Sequence, residues 1–133
     1  MQSKIDLYKN YFTLSSWKNQ PQALQIVSRI KDFIGLPLSS KIIDVGANDG
    51  SFLDLLAKEG YTDICGIEPT LDASTIAIKK SHKIINDFLS LDLVDKHSLA
   101  GKYDIVTSRH VLEHILELND FLQACRLMLC EGG

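Results

Sequence analysis

Residues 41–133 alternate between short apolar runs and longer stretches in which apolar residues recur at helical spacing. The short runs predict strands at residues 41–45, 63–67, 83–85 and 103–107. The helical stretches are 51–59, a stretch from about Thr70 with apolar residues Leu71, Ala73, Ile76, Ala77 and Ile78, a short helix within 87–101, and 119–130. Strands that alternate with helices at this spacing predict an α/β domain with a parallel sheet and right-handed crossovers.

Residues 1–40 contain no strand pattern and predict a helical lead-in to the domain formed by residues 41–133. Apolar residues recur at helical spacing between Pro21, which suits the first turn of a helix, and Gly35, which ends it. The aromatic residues of this segment either pack it against the domain or form a lid over a ligand. We favour packing because aromatic side chains mostly serve that role.

The composition is that of an ordinary globular domain. The 133 residues suffice for one hydrophobic core, 45% of them are hydrophobic, and the net charge is −3. No basic run stands out, so nucleic acid is not an expected partner, and no apolar stretch approaches the length of a membrane span. The three cysteines form no Cys-x-x-Cys pair, which argues against a zinc site and a disulfide framework and favours a reducing, cytoplasmic setting.

A loop with a glycine at each end, residues 46–50, joins the first predicted strand to the first predicted helix. Strand, glycine-containing turn and helix open a nucleotide-binding unit, because glycines let a ligand lie against bare backbone and the helix start offers unpaired N–H groups. We expect Ser51 to cap this helix.

The loop does not match the patterns that bind phosphates. A dinucleotide fingerprint requires glycine where this chain has Asn48 and Ser51, and no Gly-Lys-Ser/Thr sequence follows as in a P-loop. Asp44 and Asp49 add negative charge where a pyrophosphate would be repelled. The polarity of the loop therefore favours a ligand with a cationic amino group.

Glu68 directly follows the second predicted strand, 22 residues after Gly46. A carboxylate at about this separation is placed to accept hydrogen bonds from the ribose hydroxyls of an adenosine. The alternative is a solvated turn residue before Pro69. The loop and both strands favour the ribose role.

The sequence resembles the class I S-adenosylmethionine-dependent methyltransferases over residues 41–133. Five segments carry the resemblance: DVGANDG (44–50, similar to motif I), IEP (67–69, the acidic motif), NDFL (86–89, the adenine segment), YDIVTSRHVLEH (103–114, the fourth-strand region) and LCEGG (129–133, with Glu131 where proline is usual). The resemblance implies a Rossmann-like fold with a parallel sheet of about four strands, in the order 3-2-1-4, and with the half formed by strands 5–7 missing. Within the family, the sequence is most similar to the methyltransferase domain of sugar C-methyltransferases, whose preceding cysteine-rich zinc segment is absent here.

The resemblance also implies a cofactor, S-adenosylmethionine, and residues that bind it. They are Asp44, Gly46, Ala47, Asn48, Gly50, Glu68, Asp87, Phe88 and His110. The loop residues that lack polar side chains would line the methionine part and the ribose, and Glu68 would bind the ribose hydroxyls. Asp87 would accept a hydrogen bond from the adenine amino group, with a turn or cap residue as the alternative. Phe88 would lie near the adenine ring.

His110 follows the fourth predicted strand and is the candidate for lining the methyl end of the donor or acting as a catalytic base. The alternative is a surface histidine at a helix start.

His110, Glu113 and His114 also match the His-x-x-Glu-His pattern of a zinc protease. Glu117 and Glu131 are the only later glutamates, and the match lies directly after a predicted strand. We therefore predict no metal site.

The four predicted strands correspond to little more than half of the family's seven-stranded sheet, and the acceptor-binding half would be missing. We therefore expect either a fragment of a longer methyltransferase or a homo-oligomer that covers the apolar edge of the fourth strand. The favoured function is a methyltransferase, or its cofactor-binding portion, acting on a small-molecule acceptor such as a sugar. A non-catalytic adenosyl-binding or assembly module and a nicotinamide-dependent oxidoreductase are the alternatives.

Overall fold

A computed structural model of the protein describes residues 36–108 and 118–133. The helices predicted within residues 1–35 and the segment that contains His110 lie outside the described residues. The division of the chain near residue 40 therefore stays a prediction.

Four strands and four helices follow one another along the described chain. The strands are β1 (Ile42–Val45), β2 (Ile64–Ile67), β3 (Lys83–Ile85) and β4 (Ile105–Ser108). The helices are α1 (Ser51–Lys58), α2 (Leu71–Lys79), α3 (Leu91–Lys96) and α4 (Leu118–Met128). All strands pair in parallel, in the order β3-β2-β1-β4. This order confirms the predicted Rossmann-like α/β fold.

The sheet separates two hydrophobic clusters, because alternate residues of a strand face opposite sides. On the side of α1 the buried residues are Ile42, Ala47, Phe52, Leu53, Leu56 and Tyr61. On the side of α3 and α4 they are Ile43, Val45, Ile67, Leu93, Val94, Leu99, Tyr103, Phe121, Ala124 and Met128. Because both faces are covered, every residue of β1 is buried, the three apolar residues and Asp44 alike.

The first three helices end in the same way. A residue with positive φ follows each helix cap: Gly60 (φ 105°), Ser81 (φ 73°) and Ser98 (φ 55°). The N–H of the next residue then donates to the carbonyl oxygen five residues earlier, at 2.8–3.2 Å. This pair of features is the Schellman motif, which turns the chain sharply back along the helix.

Helix α2 buries a different face from the one that its large apolar residues predict. Leu71 and Ile78 are exposed by 67% and 51%, whereas the buried residues are the small ones, Ala73, Ser74 and Ala77. Small side chains let the helix approach its neighbours closely, and Ala77 lies against the end of the loop at Gly50. Close approach therefore decides the buried face of α2.

None of the helices in the described part of the chain is long and apolar enough to cross a membrane.

Candidate functional site

The loop of residues 46–50 lies at the carboxyl end of the sheet, between β1 and α1. Its first two N–H groups, those of Gly46 and Ala47, both donate to the carbonyl oxygen of Ile67 at the end of β2, at 2.8 and 3.0 Å. Gly46, Asn48 and Gly50 all have positive φ, of 80°, 56° and 85°. The loop therefore folds back over the end of β2, which is where α/β sheets bind ligands.

Gly66 in β2 provides the space in which the loop lies. A Cβ atom added to Gly66 would be 2.5 Å from the Cβ of Ala47 and 3.3 Å from the carbonyl oxygen of Asp44. No side chain fits this gap. Gly66 was not among the predicted site residues, although a glycine inside a strand is a known signal of close backbone approach.

Glu68 joins the loop to the start of α2. It is only 3% exposed. Its Oε1 accepts a hydrogen bond from the N–H of Asn48 at 2.8 Å, and its Oε2 accepts one from the N–H of Thr70 at 2.9 Å. The interpretation of Glu68 as a solvated turn residue is therefore wrong. The ribose role of Glu68 stays a prediction.

Burial is the main influence on the acidity of Glu68. Desolvation raises the pKa of this carboxyl above its usual value, and the negative charge of Asp44 adds to the effect. The hydrogen bonds from Thr70 and Asn48 act in the opposite direction. A cation bound nearby would stabilise the ionised carboxylate, whereas another anion would destabilise it.

Asp44 ends up inside the sheet rather than in open solvent. It is fully buried, and Thr107, its register partner on β4, donates a hydrogen bond from Oγ1 to Asp44 Oδ1 at 2.8 Å. This bond joins the carboxyl ends of β1 and β4. The acidic residue that the sequence predicts at the base of the loop therefore lies there, buried beneath the loop.

Asp49 faces the start of α1. Its Oδ1 accepts hydrogen bonds from both the N–H and the hydroxyl of Ser51, the first of them at 3.0 Å. The prediction that Ser51 caps α1 is wrong, because Ser51 is already helical and Gly50 occupies the cap position. The acceptor at the start of α1 is therefore Asp49, the residue before Gly50.

Two polar side chains at this end of the sheet are buried without hydrogen-bond partners in the described structure. They are the amide of Asn48, at both Nδ2 and Oδ1, and the hydroxyl of Ser108. Asn48 follows β1, and Ser108 ends β4 as the register partner of Val45. Unpaired buried polar groups cost free energy, and such groups often mark the position of an absent ligand or water.

Asp87 and Phe88 lie beyond β3. Asp87 is exposed, and its Oδ1 accepts the N–H of Phe88 at 2.7 Å, so it does serve in a local turn. Phe88 is half-buried and packs against the cluster on the side of α3 and α4. The adenine roles of both residues stay predictions.

Asn86 fixes the segment after β3 to the segment after β2. Its Nδ2 donates to the carbonyl oxygens of Glu68 and Pro69, at 2.9 and 3.1 Å. Asn86 belongs to the NDFL segment but was not among the predicted site residues. Its role could not be read from the sequence, since it depends on the pairing of β2 with β3.

His110 and the rest of the His-x-x-Glu-His segment lie outside the described residues, so their roles stay predictions. Within residues 36–108 and 118–133, no three histidine, cysteine, aspartate or glutamate side chains are grouped so that they could hold a metal ion. Burial raises the pKa of Cys125 to about 11, so this thiol is protonated at neutral pH.

The fold is that of the class I methyltransferases. It resembles magnesium protoporphyrin IX methyltransferase from Synechocystis PCC 6803, a structure with bound S-adenosylmethionine, with a TM-score of 0.68 and 20% identity over 84% of this chain and 55% of that one. It also resembles a putative S-adenosylmethionine-dependent methyltransferase from Methanococcus maripaludis, with a TM-score of 0.75 and 19% identity over 95% of this chain and 59% of that one.

The sequence places the chain in a family. Residues 16–133 match the model of a methyltransferase domain family, and the chain belongs to that family. It is 30% identical over 112 residues to the ubiquinone biosynthesis O-methyltransferase of Escherichia coli O157:H7, which covers 80% of this chain and 45% of the relative. The chain thus spans about half the length of the relatives that it matches.

Proposed function

We propose that this chain is the cofactor-binding portion of an S-adenosylmethionine-dependent methyltransferase that acts on a small-molecule acceptor. One observation carries the proposal. The loop of residues 46–50 contains a buried amide, that of Asn48, with no partner in the described structure, and its backbone is joined to the buried carboxylate of Glu68. In a member of this family, such a loop is the natural place for the cofactor.

The electrostatics of the site fit this ligand better than a dinucleotide. Asp44 and Glu68 are both buried beside the loop, and the negative charge of Asp44 already raises the pKa of Glu68. A pyrophosphate would add two more negative charges, whereas a sulfonium and an ammonium group would offset those present. This argues against the nicotinamide-dependent oxidoreductase.

The proposed roles follow the geometry of the loop. The backbone of Gly46, Ala47 and Gly50 and the amide of Asn48 would hold the methionine part. Glu68 would bind the ribose, and the segment with Asp87 and Phe88 would hold the adenine. When bound, S-adenosylmethionine supplies an electrophilic methyl group attached to a positively charged sulfur. The chain contributes mainly by binding and orientation, which is where most of the rate of such a displacement arises.

A binding measurement tests the proposal. We expect S-adenosylhomocysteine to bind the full chain with a micromolar dissociation constant in calorimetry. At 100 times that constant it should raise the free energy of unfolding by about 2.7 kcal/mol. NADH serves as the matched control and should do neither. Binding of NADH without binding of S-adenosylhomocysteine would overturn the proposal.

The acceptor is proposed to be a small molecule with a sugar as the first candidate, on the motif resemblance. The Escherichia coli relative is named for O-methylation in ubiquinone biosynthesis, which supports a hydroxyl acceptor instead. A panel that contains a nucleotide-linked keto sugar and a catechol separates the two, with methyl transfer measured for each. Transfer to the catechol alone would remove the sugar candidate.

A non-catalytic adenosyl-binding or assembly module is the second candidate, and one observation favours assembly. Strand β4 pairs only with β1, so it is an edge of the sheet in the described part of the chain. We propose that this edge is covered by a longer chain or by a second copy. Light scattering after size-exclusion chromatography tests the second copy. Cofactor binding without transfer to any acceptor would support the module.

We further propose a cytoplasmic location, on the strength of the unpaired cysteines.

A further inference from the structure

The imidazole of His82 fills the place of the side chain that Gly50 lacks. A Cβ atom added to Gly50 would be 2.8 Å from Cδ2 of His82 and 3.1 Å from Cβ of Ala77. Gly50 ends the loop and caps α1 with a φ of 85°, a conformation that favours glycine. The end of the loop therefore rests on the ring of His82.

The Schellman motif of α2 determines where this ring lies. Ser81 has a φ of 73°, and the N–H of His82 donates to the carbonyl oxygen of Ala77 at 3.2 Å. Residues in this position of the motif turn back onto the last turn of their helix. The side chain of His82 is only 9% exposed, so the ring has little freedom to leave Gly50.

The turn after α2 also contacts the first turn of α1, through two side chains. Nε2 of His82 lies 2.6 Å from Oδ1 of Asp54, and Nζ of Lys80 lies 3.0 Å from Oδ2 of the same carboxylate. The pair with Lys80 is partly exposed and adds little by itself. We call Lys80, His82 and Asp54 the clamp.

The clamp completes the fixation of the loop. The beginning of the loop is held by the carbonyl oxygen of Ile67, and its middle by Glu68. Neither of these bonds involves Gly50 or the start of α1, where the local bonds of Gly50 to Ala47 and of Ser51 to Asp49 accompany the contact with His82. A ligand that binds the loop backbone depends on all these positions at once, and small displacements of positioning groups reduce binding steeply.

We infer that His82 is a positioning residue that fixes the glycine end of the loop for cofactor binding, an inference that rests on the proposed function. His82 acts through Gly50 and α1 and does not itself contact the cofactor. Neither the glycine pattern nor the acidic residue after β2 indicates this role. It arises because the turn after α2 returns to the loop.

Substitution of His82 tests the inference through the affinity for S-adenosylhomocysteine. We expect His82→Ala to raise the dissociation constant about tenfold and His82→Gln, which keeps a donor toward Asp54, to stay within about threefold of the wild type. His97→Ala is the matched control, because His97 is exposed after α3, and it should leave the constant unchanged. Equal constants for the His82→Ala and His97→Ala proteins would overturn the inference. If the His82→Ala protein does not fold, Asp54→Ala, at a side chain that is 44% exposed, must weaken binding in the same direction.

A double substitution separates positioning from general support of the fold. Gly50→Ala should weaken binding because the new methyl group meets the ring and the φ is unfavourable. Removal of the ring should then have opposite effects in the two backgrounds. His82→Ala should weaken binding in the wild type and strengthen it, by about threefold or more, in the Gly50→Ala protein. The same loss in both backgrounds would show that the ring does not position the loop.

Hydrogen exchange of the ligand-free full chain separates this inference from the proposed function. The N–H groups of Gly50 and Asp54 donate to the carbonyl oxygens of Ala47 and Gly50 at 3.0 and 2.8 Å. In the His82→Ala protein they should exchange at least about fivefold faster, relative to the N–H of Ile42 in β1. Failure of the wild type to bind S-adenosylhomocysteine would sink the proposed function, and this exchange would still decide the inference. Unchanged exchange would refute it.

Discussion

The two sides of the candidate site differ in how completely their polar groups are paired. Where the loop meets β2, each backbone N–H from Gly46 to Asn48 has an acceptor, and both oxygens of Glu68 have donors. Among the side chains that follow β1 and end β4, the amide of Asn48 and the hydroxyl of Ser108 have no partner within residues 36–108 and 118–133. The first side is complete without a ligand and forms a scaffold. The second side carries an energetic cost that a ligand could remove.

The largest effect is expected from Gly66→Ala, which breaks the scaffold side. The new Cβ would lie 2.5 Å from that of Ala47, so the loop must move away from β2. We expect the free energy of unfolding to fall by about 3 kcal/mol and binding of S-adenosylhomocysteine to be lost.

Gly101→Ala provides the control for that substitution. Gly101 has a φ of +67° and nothing within 4 Å of an added Cβ. The cost there is backbone strain alone, about 1 kcal/mol, and affinity should not change. Equal losses of stability in the two variants, measured by urea unfolding, would mean that β2 and the loop do not need their close approach.

Asn48→Gly tests the unpaired side. Glycine accepts the positive φ of 56° without strain and removes two unpaired polar atoms. We expect stability to stay level or to rise by up to about 1 kcal/mol, while the affinity for S-adenosylhomocysteine falls about tenfold. 5′-Methylthioadenosine, which lacks the amino-acid group, should bind both proteins equally. If Asn48→Gly lowered the stability and left the affinity unchanged, the amide of Asn48 would support the fold and not the ligand.

The pH dependence of stability tests the burial of Glu68. Because folding raises its pKa, the folded state holds the proton more tightly than the unfolded state. Its contribution to stability is therefore greatest below the unfolded pKa and is lost as the pH rises through the folded pKa. The wild type should lose stability relative to Glu68→Gln as the pH rises above the usual pKa of a glutamate. Glu131→Gln, at an exposed position, should run parallel to the wild type. Parallel curves for Glu68→Gln as well would show that Glu68 is not desolvated.

Ser108→Ala should have the smallest effect. It removes one unpaired hydroxyl, so stability should rise by up to about 1 kcal/mol and affinity should fall by about twofold or threefold. Ser74→Ala is the informative contrast, because the buried hydroxyl of Ser74 donates to the carbonyl oxygen of Leu71 at 3.0 Å. Its removal should cost about 1 kcal/mol and leave affinity alone. Identical changes in melting temperature for the two serines would contradict the distinction between paired and unpaired groups.

The periodicity of the sequence was enough to predict a parallel sheet. The resemblance to the class I methyltransferases added the strand order, and the observed sheet has that order, with β1 between β2 and β4. The face of α2 was not predictable in this way. Its exposed residues, such as Leu71 and Ile78, are larger than its buried alanines. Hydrophobicity favours the larger residues, whereas the close approach to Gly50 requires the smaller ones.

The sequence predicted which residues lie at the site but not which groups they form hydrogen bonds with. Glu68 lies beside the loop as expected, yet its hydrogen bonds to the N–H groups of Asn48 and Thr70 depend on how far the loop folds back over β2. Gly66 and Asn86 were missed for the same reason. Each matters through a neighbour that is distant in sequence, and strand register determines such neighbours.

The left-handed residue after α3 also has a practical consequence for engineering this protein. The left-handed residue after α1 is Gly60, whereas after α3 it is Ser98, which must hold a φ of 55° that costs most side chains free energy. Ser98 is exposed and lies outside the site. Ser98→Gly should therefore raise the melting temperature by a few degrees, for a gain of about 0.5–1 kcal/mol. This added stability could keep proteins with destabilising substitutions in the site folded.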